Sequence, residues 1–297
     1  MKLESVKCNL CGSDDYKVLY SLPLPKEDIN QVFRASGDSR AAGRIVRCKS
    51  CGLAYTNPRI KAESIVKGYS EGSDETFVSQ EKARVRTFAK SMRLIEKYSK
   101  KGKILDVGTA GGSFLFAAKQ RGWEVYGMEV NKWLAEWGKK NYGIGIRKGT
   151  LEQQKYKKEF FDAVTLWDVL EHVPDPKSTL RECGRVLKKG GTLLINYPDF
   201  GSLASKAMGK RWVFLTAVHI YYFERKSLSK MLRAAGFRVV YSKPYFQTLS
   251  LGYLMFRFGT YSKLMQKLGT ATVKALGISK LEIPYWLGQT MVIARKI

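Results

Sequence analysis

Five cysteines and two histidines are the side chains of this 297-residue sequence best suited to metal or proton chemistry. Cys8-Asn-Leu-Cys11-Gly12 and Cys48-Lys-Ser-Cys51-Gly52 are two Cys-x-x-Cys-Gly units with 36 residues between Cys11 and Cys48. Two cysteines three apart on a tight turn can aim both thiolates at one ion, and the following glycine permits the turn's positive φ. Four sulfurs close a tetrahedral site and leave no position for water. Cys8, Cys11, Cys48 and Cys51 are therefore expected to hold a structural zinc ion (Zn2+), not a catalytic one. Zinc of this kind supplies ~10 kcal/mol or more to a module too small to fold alone. The alternatives are two fortuitous pairs or a redox role. Cys183 stands alone in a helical stretch and reads as a core thiol.

The histidines are His172, in Glu171-His172-Val-Pro, and His219, before Ile-Tyr-Tyr-Phe. Histidine titrates near neutrality, so each is a candidate general base, with structural hydrogen bonding as the plain alternative. Trp212, Tyr221, Tyr222 and Phe223 read as walls of a pocket or of the core.

A third group is a glycine loop. Lys103–Val107 is a short apolar strand that runs into Gly108-Thr109-Ala110-Gly111-Gly112-Ser113, with a helix from about 114 to 121. Glycines between a strand and a helix let the backbone approach a ligand at the helix N-terminus. A second strand, 124–128, ends in Glu129, close to twenty residues beyond the loop, where an acid can bind both hydroxyls of a ribose. Asp106 before the loop and Glu129 after it make the set far more specific than glycines alone.

On these residues the chain resembles class I S-adenosyl-L-methionine-dependent methyltransferases. ILDVGTAGGSF (104–114) resembles their first motif, and GMEVN (127–131) their acidic loop after the second strand. FDAVTLWDVLEHVPDPKSTLRECGRVLKKGGTLLINYPD (161–199) is similar to their fourth strand through fifth strand, and 219–237 to the approach to the sixth. VRCKSCGLAYTNPR (46–59) looks like the zinc ribbon that begins one subgroup. Ala110 departs from the usual glycine, a small change that cofactor binding should tolerate.

The resemblance implies an α/β fold: a Rossmann-like seven-stranded sheet with helices on both faces and the last strand antiparallel, plus a small N-terminal zinc ribbon. The strands are expected near 103–107, 124–128, 144–147, 161–167, 191–197, 237–242 and 288–295. It divides the chain into a zinc-ribbon module (1–60), a helical linker packed on the core (61–100), a cofactor-binding core (101–243), and a basic helical insertion or lid with the final strand (244–297). It also implies roles. Asp106, Gly108, Thr109, Ala110 and Gly112 would form the floor for the cofactor's amino-acid part, and Glu129 with Val130 would hold the ribose. Thr150 and Leu151 would lie along the adenine, and Trp167 and Asp168 would face the methionine end. The cofactor carries the reactive methyl group, so the protein mainly orients and desolvates. A base is needed when the acceptor is a hydroxyl.

Composition bounds the acceptor and the compartment. Apolar residues make up 44% of the chain, which excludes wholesale disorder. No apolar run is long enough for a transmembrane segment, and the start has no signal-peptide core, so a cytoplasmic protein with reduced thiols is expected. The 52 basic and 26 acidic side chains give a net charge of +26. Residues 201–297 carry 16 of the bases and only two acids, Glu224 and Glu282. That asymmetry points to an anionic partner, against the alternative of a generally lysine-rich surface. Between 245 and 277, Leu251, Leu254, Met255, Phe258, Tyr261, Met265 and Leu268 share a helical stripe, with Arg257, Lys263, Lys267 and Lys274 largely outside it. Such a helix suits an anionic membrane surface, peripheral to the inner membrane, or a lid over an apolar acceptor; a core-facing helix is the alternative. The favoured reading is methyl transfer to an oxygen of a small, sugar-type or lipid-linked anionic acceptor. An RNA base methyltransferase is second, since the [DNS]PP[YFW] motif of adenine amino-methyltransferases is absent but the basic third suits RNA. A non-catalytic zinc- and nucleotide-binding interaction protein is third.

Overall fold

The computed structural model describes residues 2–24, 32, 43–260 and 262–297. Strands β1 (Leu3–Glu4), β2 (Tyr16–Ser21), β3 (Arg44–Cys48), β4 (Ala54–Thr56) and β5 (Arg59–Ile60) come first. Helices α1 (Ala62–Ser70), α2 (Glu75–Val78) and α3 (Glu81–Tyr98) follow. The alternating part is β6 (Lys103–Val107), α4 (Ser113–Lys119), β7 (Glu124–Glu129), α5 (Lys132–Tyr142), β8 (Ile146–Lys148), β9 (Phe161–Trp167), α6 (Pro176–Val186) and β10 (Leu187–Pro198). Then come α7 (Leu203–Met208), β11 (Tyr221–Tyr222), α8 (Arg225–Ala234), β12 (Phe237–Pro244), β13 (Gln247–Ser250), α9 (Leu251–Arg257), α10 (Lys263–Ala275), β14 (Glu282–Tyr285) and β15 (Gln289–Lys296).

Seven strands form one sheet in the order β12-β15-β10-β9-β6-β7-β8. β15 runs antiparallel between β10 and β12, while β9, β6, β7 and β8 pair in parallel. Side chains alternate across a strand, so both faces of this sheet bury apolar residues. Ile104, Ala163, Leu194 and Ile293 pack with Met92 and Ile95 of α3 and Phe114 of α4. Leu105, Val164, Leu193 and Val292 face the other way, onto Leu180 and Cys183 of α6 and Leu228 and Met231 of α8. Cys183 is fully buried there.

The expected strands are present with shifted ends. The fifth begins at Leu187, not 191, because Leu187 pairs with Phe161 before a register shift reaches Thr192. The third occupies 146–148. The 61–100 segment is three helices. The expected single stripe over 245–277 is corrected: the chain breaks into α9 and α10 with a short 3-10 turn at Phe258–Thr260. Tyr261 of that stripe lies outside the described residues. β2, β3 and β4 form a second sheet, and β11 joins its β4 edge.

Candidate functional site

The two Cys-x-x-Cys-Gly units meet. Cys8 and Cys51 sulfurs lie 3.4 Å apart, Cys11 and Cys48 3.5 Å apart, and all four within 4.8 Å of one another. Gly12 and Gly52 take φ of +78° and +85° and donate their N–H groups to the Cys8 and Cys48 carbonyls, which closes both turns. A four-thiolate zinc site with bonds of about 2.3 Å spaces its sulfurs roughly 3.8 Å apart, so the donor set fits that ion.

The carboxyl ends of β6, β7 and β9 open into a cavity of about 690 Å³. Asp106, Gly108, Thr109, Ala110, Glu129, Val130, Thr150, Leu151, Trp167, Asp168, His172 and His219 all line it. Gly112 does not. With φ of +83° it turns the chain into α4. Trp212, Tyr221, Tyr222 and Phe223 are buried in the core, outside the cavity wall.

The loop is held from below. Glu129 accepts the Ala110 N–H on one oxygen at 2.7 Å and the Asn131 N–H on the other at 2.9 Å. Ala110 therefore keeps the left-handed conformation (φ +49°) that a glycine would adopt more freely. A Cβ on Gly108 would stand 2.8 Å from Val169, which is why that position has no side chain. Glu129 keeps acceptor capacity for a diol. Asp106 accepts a hydrogen bond from the Thr165 hydroxyl at 2.6 Å. Burial pushes its carboxyl up to about 7, and the Glu129 charge adds to the effect. Burial raises Glu129 as well. Gly149 donates its N–H to the Glu129 carbonyl and so lays Thr150 and Leu151 along the wall.

Asp168, in a left-handed conformation at the end of β9, accepts hydrogen bonds from Asn196 at 2.7 Å and Gln247 at 3.4 Å. Burial lifts it to about 6, opposed by the Arg84 charge. Trp167 packs edge-on against Phe88 and at a tilt against Phe114 and Tyr245. Asp106, Glu129, Asp168 and Glu171 thus make an acidic hole in a strongly basic chain. A cation bound among them would favour their ionised forms and draw the raised values back down.

His172 and His219 meet edge to face, with ring centroids 4.6 Å apart. Burial pushes His172 down to about 4 and His219 well below its ordinary value, so both are neutral at physiological pH. A freely titrating histidine near neutrality, the sequence expectation, is not what this burial produces.

Sequence reasoning missed several wall residues. Tyr69 of α1 sits 2.7 Å from the His172 ring. Arg84 of α3 lies 3.9 Å over the Phe77 ring. Glu171 is buried beside the histidines, and Tyr245, Gln247 and Tyr285 close the far side. The helical periodicity of 61–100 shows no signal for which side chains enter the cavity. Glu171 did have one, since it adjoins His172.

Comparison with known proteins follows the same outline. The methyltransferase-domain family matches residues 79–242. The ubiquinone biosynthesis O-methyltransferase of Pseudomonas fluorescens is 34% identical over 100 residues, 32% of this chain and 43% of that protein. Its counterpart from Alkalilimnicola ehrlichii is 35% identical over 100 residues, 32% of this chain and 40% of that protein. The chain thus spans about two fifths of the length of these curated relatives. Among solved structures, a SAM-dependent methyltransferase from Archaeoglobus fulgidus superposes with a TM-score of 0.52 at 20% identity, covering 75% of this chain and 100% of that one. One from Thermotoga maritima gives 0.51 at 22% identity, covering 75% and 94%.

Proposed function

The chain belongs to the methyltransferase-domain family and is a SAM-dependent methyltransferase, and from that premise we propose that it methylates an oxygen of a small, sugar-type or lipid-linked anionic acceptor. The observation that carries the proposal is that one cavity joins the glycine loop and Glu129 to a buried cluster of Glu171, His172 and His219. In this reading Glu129, with Val130, takes the ribose hydroxyls, and Thr150 and Leu151 flank the adenine. Asp106, Gly108, Thr109 and Ala110 floor the methionine part. The sulfonium cation sits in the acidic hole between Asp106 and Asp168. Methyl transfer is an in-line displacement; Trp167 and Asp168 orient the methyl group, while the Glu171–His172–His219 cluster, on the acceptor side, favours release of the hydroxyl's proton. The printed names of the 34%-identical relatives support oxygen as the acceptor atom.

Two further parts complete the reading. Cys8, Cys11, Cys48 and Cys51 hold a structural zinc, on the strength of their mutual distances. Helix α9 roofs the cavity, with Leu254 and Arg257 lining it, while on α10 Leu264, Met265 and Leu268 stand 65%, 57% and 59% exposed among Lys263, Lys267 and Lys274. Exposed apolar and basic side chains together suit an anionic membrane surface, and in this reading the enzyme works from the cytoplasm at the inner face. No helix among the described residues is long and apolar enough to cross a membrane.

The test is incubation with methyl-labelled S-adenosyl-L-methionine and separated host fractions: lipid extract, soluble metabolites and total RNA. The proposal expects alkali-stable label in the lipid or metabolite fraction. Label in RNA alone would overturn it in favour of RNA methylation, which the 16 bases of residues 201–297 favour.

A further inference from the structure

We propose that Glu171, His172 and His219 bind one divalent transition-metal ion at the acceptor end of the cavity, separate from the four-cysteine site. One ligand atom from each of the three residues lies within 4.8 Å of the other two. His172 Nε2 is 4.0 Å from Glu171 Oε1.

The proton positions follow from the partners. His172 Nδ1 lies 2.9 Å from the Val218 carbonyl and 2.7 Å from the Tyr69 hydroxyl, whose oxygen can also accept, and His219 Nδ1 lies 2.7 Å from the Phe214 carbonyl. A carbonyl oxygen only accepts, so in each ring Nδ1 carries the hydrogen and Nε2 keeps its lone pair. This is the arrangement of metal-bound histidines, whose second nitrogen donates to a backbone carbonyl and fixes the ring. Glu171 is 1% exposed, and neither of its carboxylate oxygens has a hydrogen-bond partner among the described residues. Two imidazole lone pairs and an unpartnered carboxyl group therefore share one buried space, with the Tyr69 hydroxyl on the other nitrogen of the His172 ring. A bare cluster of acceptors is costly in a dry interior, and a cation satisfies all three at once.

The backbone holds the ligands on two tied loops. The Glu171 carbonyl accepts the N–H groups of both Ile220, at 2.9 Å, and Tyr221, at 3.1 Å. The turn after β9 is thus pinned to the segment that carries His219. First-row ions bound by nitrogen and oxygen at about 2.0–2.2 Å hold ligand atoms roughly 3–3.5 Å apart, so small side-chain rotations complete the site. Two imidazoles with one carboxylate favour manganese, iron(II), cobalt, nickel or zinc over calcium or magnesium. Three protein ligands leave coordination positions facing the cavity for an acceptor oxygen. That role rests on the hydroxyl-acceptor reading above; the binding site itself does not.

The test uses the full chain with its cysteine site intact. After chelator treatment, Mn2+ is titrated in while the electron paramagnetic resonance signal of the free ion is followed. One Mn2+ per chain is expected to disappear from the free signal. Loss of a ligand in Glu171→Gln or His219→Ala should weaken that binding by about a hundredfold. His219→Gln is the second variant, and retained S-adenosyl-L-methionine binding certifies the fold of each. Absence of Mn2+ binding, or binding indifferent to Glu171→Gln and His219→Gln, overturns the site. Mn2+ bound with no methyl transfer to any hydroxyl would instead overturn the acceptor reading. Transfer undiminished in chelator, with no Mn2+ bound, would overturn the site and leave that reading standing.

Discussion

Tyr221 pairs with Tyr55 across two antiparallel strands, so the segment leaving His219 is an edge strand of the cysteine module's own sheet. Arg59 strengthens the joint: its guanidinium donates to the Tyr221 hydroxyl at 3.0 Å and to the Pro174 carbonyl at 2.8 Å. Arg47 reaches Glu224 at 2.6 Å. The module is part of the framework that positions one cavity wall.

That joint makes the four-cysteine site testable through both metal content and stability. Purified protein should retain about one zinc per chain after mild chelation, and Cys11→Ser should lose it. The variant's melting temperature should fall by several degrees or more, because zinc-dependent folding free energy is lost. Unchanged zinc in Cys11→Ser would refute the assignment.

Asp106 gives stability a pH dependence of unusual sign. Burial holds its folded value near 7, above the ordinary carboxylate value of an unfolded chain. The folded state therefore binds this proton more tightly. The contribution is fully present below about pH 4 and is lost as pH rises through 7. The ligand-free protein should melt several degrees lower at pH 8 than at pH 6, and Asp106→Asn should shrink that difference. Parallel melting curves for the two proteins would contradict the argument.

Surface-bound α10 would have its exposed leucines in the lipid interface. Burial of a leucine contributes about 1.5–3 kcal/mol, so Leu264→Ser with Leu268→Ser should weaken sedimentation with anionic vesicles at least tenfold. Equal binding to neutral and anionic vesicles, or no loss in the double variant, would remove the membrane from the account.

How much was legible follows from how each contact is encoded. The parallel strands were readable because burial on both faces makes near-continuous apolar runs, such as Ala163–Trp167. Asp106, the glycines and Glu129 were readable because strand, loop and acid are close in sequence. The pairing of Tyr221 with Tyr55 was not, since two residues of strand carry no periodicity and their partner is distant in the chain. Arg84 and Tyr69 were missed because a helix's tertiary packing decides which polar side chain enters a cavity. The break between α9 and α10 was missed because an apolar stripe can continue across a turn that separates two helices.

The central claim is that the cavity around Glu129 takes S-adenosyl-L-methionine, and calorimetric titration of the whole chain tests it most directly. The account predicts one molecule bound per chain. It also predicts affinity lower by about ten- to a hundredfold in Glu129→Gln, the loss expected for charge-assisted hydrogen bonds worth about 1.5–3 kcal/mol. No binding at hundreds of micromolar, or equal affinity in the variant, would contradict it.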